Sequence, residues 1–99
     1  PAKRGNERAP AIQFPNAKLL EAYAGSYKLA PGKTIKVTVR ANTLYAQLSD
    51  QPAFPVFQTK DDRFIYFVVD AAIAFERDSN DQVTGLTLHQ NGEHRAVRE

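Results

Sequence analysis

Turn residues interrupt this chain at short, regular intervals, and that spacing constrains the fold more than any other feature. Segments of strand-like composition alternate with turn signals such as Pro31-Gly32, at intervals of roughly 8–12 residues. KTIKVTVR shows the alternation of a half-buried strand, because Ile35, Val37 and Val39 fall on one face. About eight such segments follow one another, with no connection long enough for a helical crossover, so the strands should run antiparallel.

A chain of 99 residues with eight short strands favours an all-β, closed antiparallel meander barrel, because closure removes exposed sheet edges. Before the strands, NAKLLEAYAG predicts a short helix that Asn16 caps and Gly25 ends. The polar segment PAKRGNERAP predicts a linker or disordered tail over residues 1–15. Residues 16–99 are then one small barrel domain.

Composition excludes several functional classes. The longest apolar run, FIYFVV, has the length of a strand, so we expect no membrane span. The chain has no cysteine, which excludes thiol catalysis and Cys-ligated zinc. The net charge of +2 comes from the first ten residues, and basic and acidic residues balance over the rest. A nucleic-acid-binding domain concentrates Lys and Arg on one folded face beside aromatic residues, so we expect no nucleic-acid partner.

Two histidines flank the turn signal in VTGLTLHQNGEH. With a two-residue turn His89 faces His94, and opposed Cβ atoms lie about 4.5–5.5 Å apart, close enough to share a metal. With a three-residue loop His89 faces Glu93, and His94 faces Leu88. Zinc needs three or four protein ligands and the chain has no third histidine. We therefore interpret His89 and His94 as a rim pair and expect no metal or cofactor.

The segment RDSNDQVTG resembles the start of a calcium loop, because Asp78, Asn80 and Gln82 occupy alternate positions. The EF-hand pattern then requires Gly where Val83 stands and Glu where His89 stands. A polar hairpin loop with Asx-turn hydrogen bonds explains the segment better.

The sequence gives no good evidence for a catalytic site either. Ser26, Asp70 and either histidine could form a triad on paper, but their spacing gives no support and no Gly-x-Ser-x-Gly motif is present. We expect no catalytic residues and a domain that is not an enzyme.

Aromatic residues recur along the predicted strands. They either fill the barrel or line an apolar pocket in which Tyr hydroxyls anchor a small apolar ligand. The candidate pocket residues are Tyr27, Tyr45, Phe64, Tyr66 and Phe75.

The strand-like run FIYFVV is apolar on both faces, so one face should lie outside the barrel. Strand alternation places Phe64, Tyr66 and Val68 on one side. The other side carries Ile65, Phe67 and Val69, which we interpret as an interaction patch for a partner domain or for a second copy of the chain.

Four segments occur in a familiar order: YAGSYKLAPGKTIKVTV, LYAQLSDQPAFPVF, FIYFVVDAAIAFERD and QVTGLTLHQNG. Over about residues 18–97 they resemble the small C-terminal domain of uncharacterised function on many bacterial β-lactamase-related, penicillin-binding-protein-like serine hydrolases. The resemblance implies a lipocalin-like barrel of eight strands. After Gly92 the chain departs from the family, because Arg95 and Ala96 stand where a hydrophobic residue and a proline are commoner.

The resemblance implies no catalytic residues in this domain, because the hydrolase chemistry belongs to a separate domain with a Ser-x-x-Lys motif. None of the three serines in this chain has Lys three positions later. We therefore expect a non-catalytic accessory or interaction domain that associates with a serine hydrolase domain in cis or in trans. The alternative is a free-standing lipocalin-like binding protein for a small apolar ligand. The family context implies a periplasmic or secreted location.

Overall fold

The structure is a computed structural model that describes residues 17–99. The predicted tail over residues 1–15 and the predicted capping residue Asn16 lie outside the described residues. Within them, no helix is long and apolar enough to span a membrane.

Eight strands form a closed antiparallel barrel in chain order, which confirms the predicted fold class. A short helical segment precedes them, and consists of α1 (Ala17–Leu20) and a 3₁₀ turn (Glu21–Tyr23). The strands are β1 (Gly25–Ala30), β2 (Lys33–Arg40), β3 (Thr43–Leu48), β4 (Phe54–Lys60), β5 (Arg63–Tyr66), β6 (Ala72–Arg77), β7 (Val83–His89) and β8 (Glu93–Arg98).

The barrel has two distinct ends because consecutive strands run in opposite directions. The end called here the helix end carries α1 and the connections at 41–42, 61–62 and 78–82. The other end, called the mouth, carries the connections at 31–32, 49–53, 67–71 and 90–92. Leu20 and Tyr23 are buried, so the helical segment packs into the core and closes the helix end.

Side-chain alternation orients the strands as the sequence predicts. On β2, Ile35 and Val37 are buried and lie opposite Leu48 and Ala46 of β3. Lys36 between them is exposed. Because opposed residues of an antiparallel pair share a face, these pairs line the interior. The core comprises inward side chains from all eight strands together with Leu20 of α1. The largest fully buried strand residues include Tyr27, Phe64, Ile35, Leu44, Ile73 and Leu86.

The segment FIYFVV departs from its prediction. Strand β5 ends at Tyr66, and the following residues form bends. The Tyr66 N–H donates to the Ala71 carbonyl, and the Ala71 N–H donates to the Val69 carbonyl, so the chain folds back immediately. Strand alternation therefore stops at Tyr66, and Phe67 and Val68 project from a loop at the mouth.

The closing seam between β1 and β8 has a short register, Tyr27 opposite Arg98 and Lys28 opposite Val97. The Arg98 guanidinium reinforces this seam. Its Nη1 donates to the carbonyls of Ala22 and Val83, and its Nη2 donates to the Ala24 carbonyl at 2.6 Å. One side chain of the last strand therefore ties together the start of the barrel, β7 and β8.

Candidate interaction surface on the barrel wall

Three of the five predicted pocket residues fill the barrel interior. Phe75 packs against Tyr27 and Phe64, with ring centroids 5.8 and 5.6 Å apart. Tyr23, which was not among the predicted residues, joins this cluster at 4.5 Å from Phe75 and 5.1 Å from Phe64. The Tyr27 hydroxyl donates to the Tyr23 carbonyl at 2.6 Å. These rings contact one another in the edge-on and tilted geometries of a packed core.

Tyr66 lies at the mouth, beside a small space of about 50 Å³ whose walls include Ile35, Leu48, Phe54 and Leu88. Burial raises the pKa of Tyr66 to about 12. Among residues 17–99, no hydrogen bond to the Tyr66 hydroxyl is present, and no fully buried side-chain oxygen lacks a partner, so this hydroxyl reaches solvent at the mouth. The space is far below the roughly 300–1,000 Å³ of ordinary ligand pockets, so it admits a small group at most.

Tyr45 lies outside the barrel, unlike the other four predicted pocket residues. It sits opposite Thr38 on one side and Pro55 on the other, in register positions between the inward residues of β3. The Arg40 guanidinium lies over its ring, 4.6 Å from the centroid. The structure therefore assigns Tyr45 to the outer wall.

An apolar patch on the outer wall is formed by Phe57, Ile65 and Phe67. Phe57 of β4 and Ile65 of β5 lie directly opposite each other. Phe67 is 62 % exposed, and its ring stacks on Phe57 with centroids 4.6 Å apart. Two of the three predicted patch residues, Ile65 and Phe67, thus lie together. Phe57 completes the patch and was not predicted.

Val69, the third predicted patch residue, lies in the loop at the mouth and is 39 % exposed. It borders the same space as Tyr66 rather than the Phe57–Phe67 stack. Its neighbour Val68 is 57 % exposed. The loop after β5 therefore exposes apolar side chains next to both the mouth and the patch.

The two histidines lie on opposite faces of their hairpin. The register follows the three-residue loop, with His89 opposite Glu93 and His94 opposite Leu88. The His94 Nε2 lies 3.1 Å from the Gln90 carbonyl, and the His89 Nδ1 lies 3.9 Å from a Glu93 carboxylate oxygen. Across the described part of the chain, no group of three His, Asp or Glu side chains is arranged to hold a metal ion.

Ser26 and Asp70 are not brought together. Ser26 lies near the start of β1, towards the helix end, whereas Asp70 follows β5 at the mouth. The loop that resembled a calcium site is a polar hairpin connection, as expected. The Asp78 Oδ1 accepts hydrogen bonds from the N–H groups of Asn80 and Gln82, at 2.8 and 3.0 Å.

A polar cluster at the helix end was not predicted. The Asp62 Oδ1 accepts hydrogen bonds from the Tyr23 hydroxyl and from the Arg77 Nε, both at 2.8 Å. Burial raises the pKa of Tyr23, and the hydrogen bond to Asp62 raises it further. The hydrogen bond to Asp62 also raises the pKa of Arg77.

This cluster borders a cleft of about 470 Å³, which Lys18, Gln58 and Asp81 also line. The Arg77 Nη1 donates to the Asp81 carbonyl, and its Nη2 donates to the Tyr23 hydroxyl. Every nitrogen of the guanidinium is thus engaged within the domain. The cluster fastens the helical segment to the barrel, and its members lie 15–54 positions apart in the chain, so no local motif marks it.

Comparison with protein families places this sequence in a known family. Residues 9–97 match the domain of unknown function DUF3471. The chain belongs to the DUF3471 family. The match covers the described barrel from α1 almost to the end of β8, and the domain carries no functional assignment from it. No curated protein matches the sequence of this DUF3471 domain.

Proposed function

We propose that this DUF3471 domain is a non-catalytic interaction domain that packs against a β-lactamase-like serine hydrolase domain. The observation that carries the proposal is the apolar patch, an exposed aromatic stack beside Ile65 on the wall of a barrel whose interior is filled. Buried aromatic anchors are the residue types that dominate protein–protein binding energy.

The interior supports this proposal over a ligand-binding one. Phe75 packs against both Tyr27 and Phe64 inside the barrel, and the space at the mouth has a volume of about 50 Å³. The cluster around Asp62 also engages its donors internally. Phe67 is 62 % exposed, so a partner that covers the outer patch would remove a large aromatic side chain from water.

The partner follows from the sequence resemblance rather than from the geometry. The motifs YAGSYKLAPGKTIKVTV and QVTGLTLHQNG resemble those of domains attached to serine hydrolases of the β-lactamase-related class. The Ser-x-x-Lys chemistry would belong to that hydrolase domain, and the DUF3471 domain would supply a docking surface. Association in cis and in trans are both compatible with this role.

The test is the affinity for the β-lactamase-like hydrolase domain from the same source, measured by isothermal titration calorimetry. Phe67→Lys places a charge in the centre of the patch and should weaken binding at least about tenfold, because that charge loses its water on docking. Val97→Lys is the matched control. Val97 is also 62 % exposed but lies on the outer face of β8, so its replacement should leave the affinity unchanged.

Thermal unfolding of the Val97→Lys variant should match that of the original domain, because Val97 is exposed. The Phe67→Lys variant should lose no more than about 1 kcal/mol, the value of the stacking of Phe67 on Phe57. Equal affinity of the Phe67→Lys variant and the original domain contradicts the patch as the docking surface. No binding of the hydrolase domain to the original DUF3471 domain contradicts the proposed partner.

A second candidate function, binding of a small apolar ligand, is supported by the unpartnered Tyr66 hydroxyl in the apolar mouth. Such a ligand would place a few apolar atoms between Ile35 and Leu88 and one polar atom near the Tyr66 oxygen. Solvent extraction of the purified domain followed by mass spectrometry is the test. A stoichiometric small molecule favours this function, and an empty extract argues against it.

The proposed partner also sets the proposed location, the periplasm or the extracellular medium of a bacterium. Fractionation of the source cells with an immunoblot against this domain should find the antigen in the envelope or the medium. A signal confined to the cytoplasmic fraction contradicts the location and weakens the proposed partner.

A further inference from the structure

Charge is unevenly distributed between the strands. Strands β1 to β5 contain no Asp or Glu, and they carry six basic residues: Lys28, Lys33, Lys36, Arg40, Lys60 and Arg63. Acidic residues within strands occur on β6 and β8 only, as Glu76 and Glu93. The total charge of the chain does not reveal this separation, because the acidic residues lie in the connections and in the second half of the barrel.

The two halves of the barrel also differ in charge pairing. On the β6–β8 side, Arg95 Nη2 lies 2.8 Å from a carboxylate oxygen of Glu76. At the helix end, Arg77 pairs with Asp62 at 2.8 Å. Among residues 17–99, none of the six cations on β1 to β5 forms an ion pair. These positive charges are therefore uncompensated within the described structure.

Three of these cations lie on the outer faces of β2 and β5. Lys36 and Arg40 alternate with the inward residues of β2, and Arg40 lies over Tyr45. Arg63 lies two positions before Ile65 on the outer face of β5. We call Lys36, Arg40 and Arg63 the basic wall. It continues the surface of the patch from β5 back to β2, by way of Tyr45 and Pro55.

We propose that the basic wall and the apolar patch together dock an acidic protein surface, one with an apolar centre that covers Phe67 and carboxylates that face Lys36, Arg40 and Arg63. This inference rests on the proposed function and names the chemistry of the partner. The apolar contact supplies desolvated area, and the unpaired cations supply steering and register.

The wall is less suited to other polyanions. Single-stranded nucleic acid binds by stacking bases on free aromatic faces. Here Phe57 and Phe67 stack on each other, and Arg40 covers Tyr45. An anionic membrane would meet the exposed loop at the mouth, but Asp70 belongs to that loop, which places a negative charge beside the apolar residues.

The test uses short peptides, so it does not depend on the hydrolase. The ¹⁵N-labelled domain is titrated with the acetylated peptide amide EELFEE and with its charge-reversed counterpart KKLFKK, and amide chemical shifts are recorded. EELFEE should bind at least about tenfold more tightly and shift amides along β2, β4 and β5, because its apolar centre is the same and only its charge differs.

The variant Lys36→Glu/Arg40→Glu/Arg63→Glu should reverse this preference. The charge-conserving variant Lys36→Arg/Arg40→Lys/Arg63→Lys is the matched control and should retain it. The binding of EELFEE to the original domain should also weaken as salt is raised from about 0.05 to about 0.5 M, because exposed charges are screened.

Equal shifts with both peptides, or no shift with EELFEE, overturn the acidic partner. Tighter binding to an oligo-dT strand or to phosphatidylserine vesicles overturns it in favour of a nucleic acid or a membrane. The hydrolase experiment is separate. Salt-independent binding of the hydrolase that Phe67→Lys abolishes would leave the proposed function standing without the basic wall. Binding of EELFEE without binding of the hydrolase would support the acidic partner and contradict the hydrolase as that partner.

Discussion

Gly85 shows how one residue limits what the barrel tolerates. It lies on β7 opposite Val97, and a Cβ at this position would come within 2.7 Å of the Ala96 carbonyl oxygen. The neighbouring atom is backbone, so relief requires β7 and β8 to separate. At Gly32, at the mouth, a side chain is disfavoured for a different reason. Its φ is +78°, and a Cβ there would meet no atom within 4 Å.

We expect Gly85→Ala to lower the free energy of unfolding by at least about 2 kcal/mol, because overpacking displaces the strand. Gly32→Ala should lower it by about 1 kcal/mol through backbone strain alone. Urea denaturation measures both. Asn tolerates the left-handed conformation, so Gly32→Asn should recover most of the loss. A Gly85→Ala variant as stable as the original would contradict the close approach of β7 to β8.

Tyr66 makes the stability of the domain depend on pH in the alkaline range. Burial raises its pKa to about 12, whereas a tyrosine in an unfolded chain titrates near pH 10. Between these values the unfolded state has lost the proton that the folded state keeps. The contribution is therefore complete below pH 10 and is lost as the pH rises towards 12.

We expect Tyr66→Phe to flatten the loss of stability between about pH 10 and 12, measured by urea denaturation at each pH. Tyr45→Phe is the control at an outer position. Ultraviolet titration of the folded domain should show one fewer high-pH tyrosine in the Tyr66→Phe variant. An unchanged pH profile in that variant would mean that the Tyr66 hydroxyl is fully solvated.

Among the elements, the seam between β1 and β8 depends most on a single side chain. Arg98 donates to the carbonyls of Ala22, Ala24 and Val83, while the strand register itself is short. Its guanidinium also lies 5.8 Å from the centroid of the Tyr27 ring. Without Arg98, the carbonyls of Ala22, Ala24 and Val83 lose this donor.

We expect Arg98→Met to lower the free energy of unfolding by about 2–3 kcal/mol, because hydrogen bonds from a charged group are lost and Met keeps the apolar stem. Arg98→Lys should lose nearly as much, since one ammonium cannot replace the planar fork. Arg95→Met is the control. Arg95 pairs with Glu76 in an exposed position, and its loss should change stability by less than about 1 kcal/mol. Equal losses of stability from Arg98→Met and Arg95→Met would contradict the role of Arg98 in holding the seam between β1 and β8.

Elements with a clean alternation could be predicted from the sequence, and ambiguous ones could not. Strand β2 was predictable because Ile35 and Val37 alternate with Lys36 and Thr38. The run FIYFVV is apolar at every position, so alternation could not show that the strand ends at Tyr66. That end depends on the hydrogen bonds of Tyr66 and Ala71, which are tertiary.

Some features of the candidate sites could likewise be predicted from the sequence, and others could not. The Asn-Gly signal located the turn between β7 and β8, but it fits loops of two or three residues, and the loop length decides which way His94 faces. Phe57 joins Phe67 only through the pairing of β4 with β5. The basic wall could not be predicted from the sequence, because its cations alternate with inward apolar residues on separate strands and become neighbours on the wall only when β2 to β5 pair.

At the scale of the molecule, the barrel has one continuous core. Two phenylalanines three positions apart differ in their relation to it, since one lies inside the core and the other lies outside it. Phe64 is 1 % exposed and contacts Tyr23 and Phe75, whereas Phe67 is 62 % exposed. Because the core is shared by all the strands, damage at one point should appear in the unfolding of the whole domain.

We expect Phe64→Ala to lower the free energy of unfolding by about 3–5 kcal/mol through the cavity it creates. Phe67→Ala should lower it by no more than about 1 kcal/mol, the value of its stacking on Phe57. Differential scanning calorimetry compares the two. Comparable losses would mean that Phe67 is part of the core and is not available to a partner.

The placement of Tyr45 on the outer wall has a spectroscopic consequence. The chain contains four tyrosines and no tryptophan. Tyr23 and Tyr27 are in the core, Tyr66 is at the mouth, and Tyr45 alone stands among the cations and the apolar patch. Its emission should therefore respond to an approaching partner, with Tyr45→Phe as the blank, and any tryptophan signal in a complex would belong to the partner. The domain carries its own optical reporter at the surface where we expect docking.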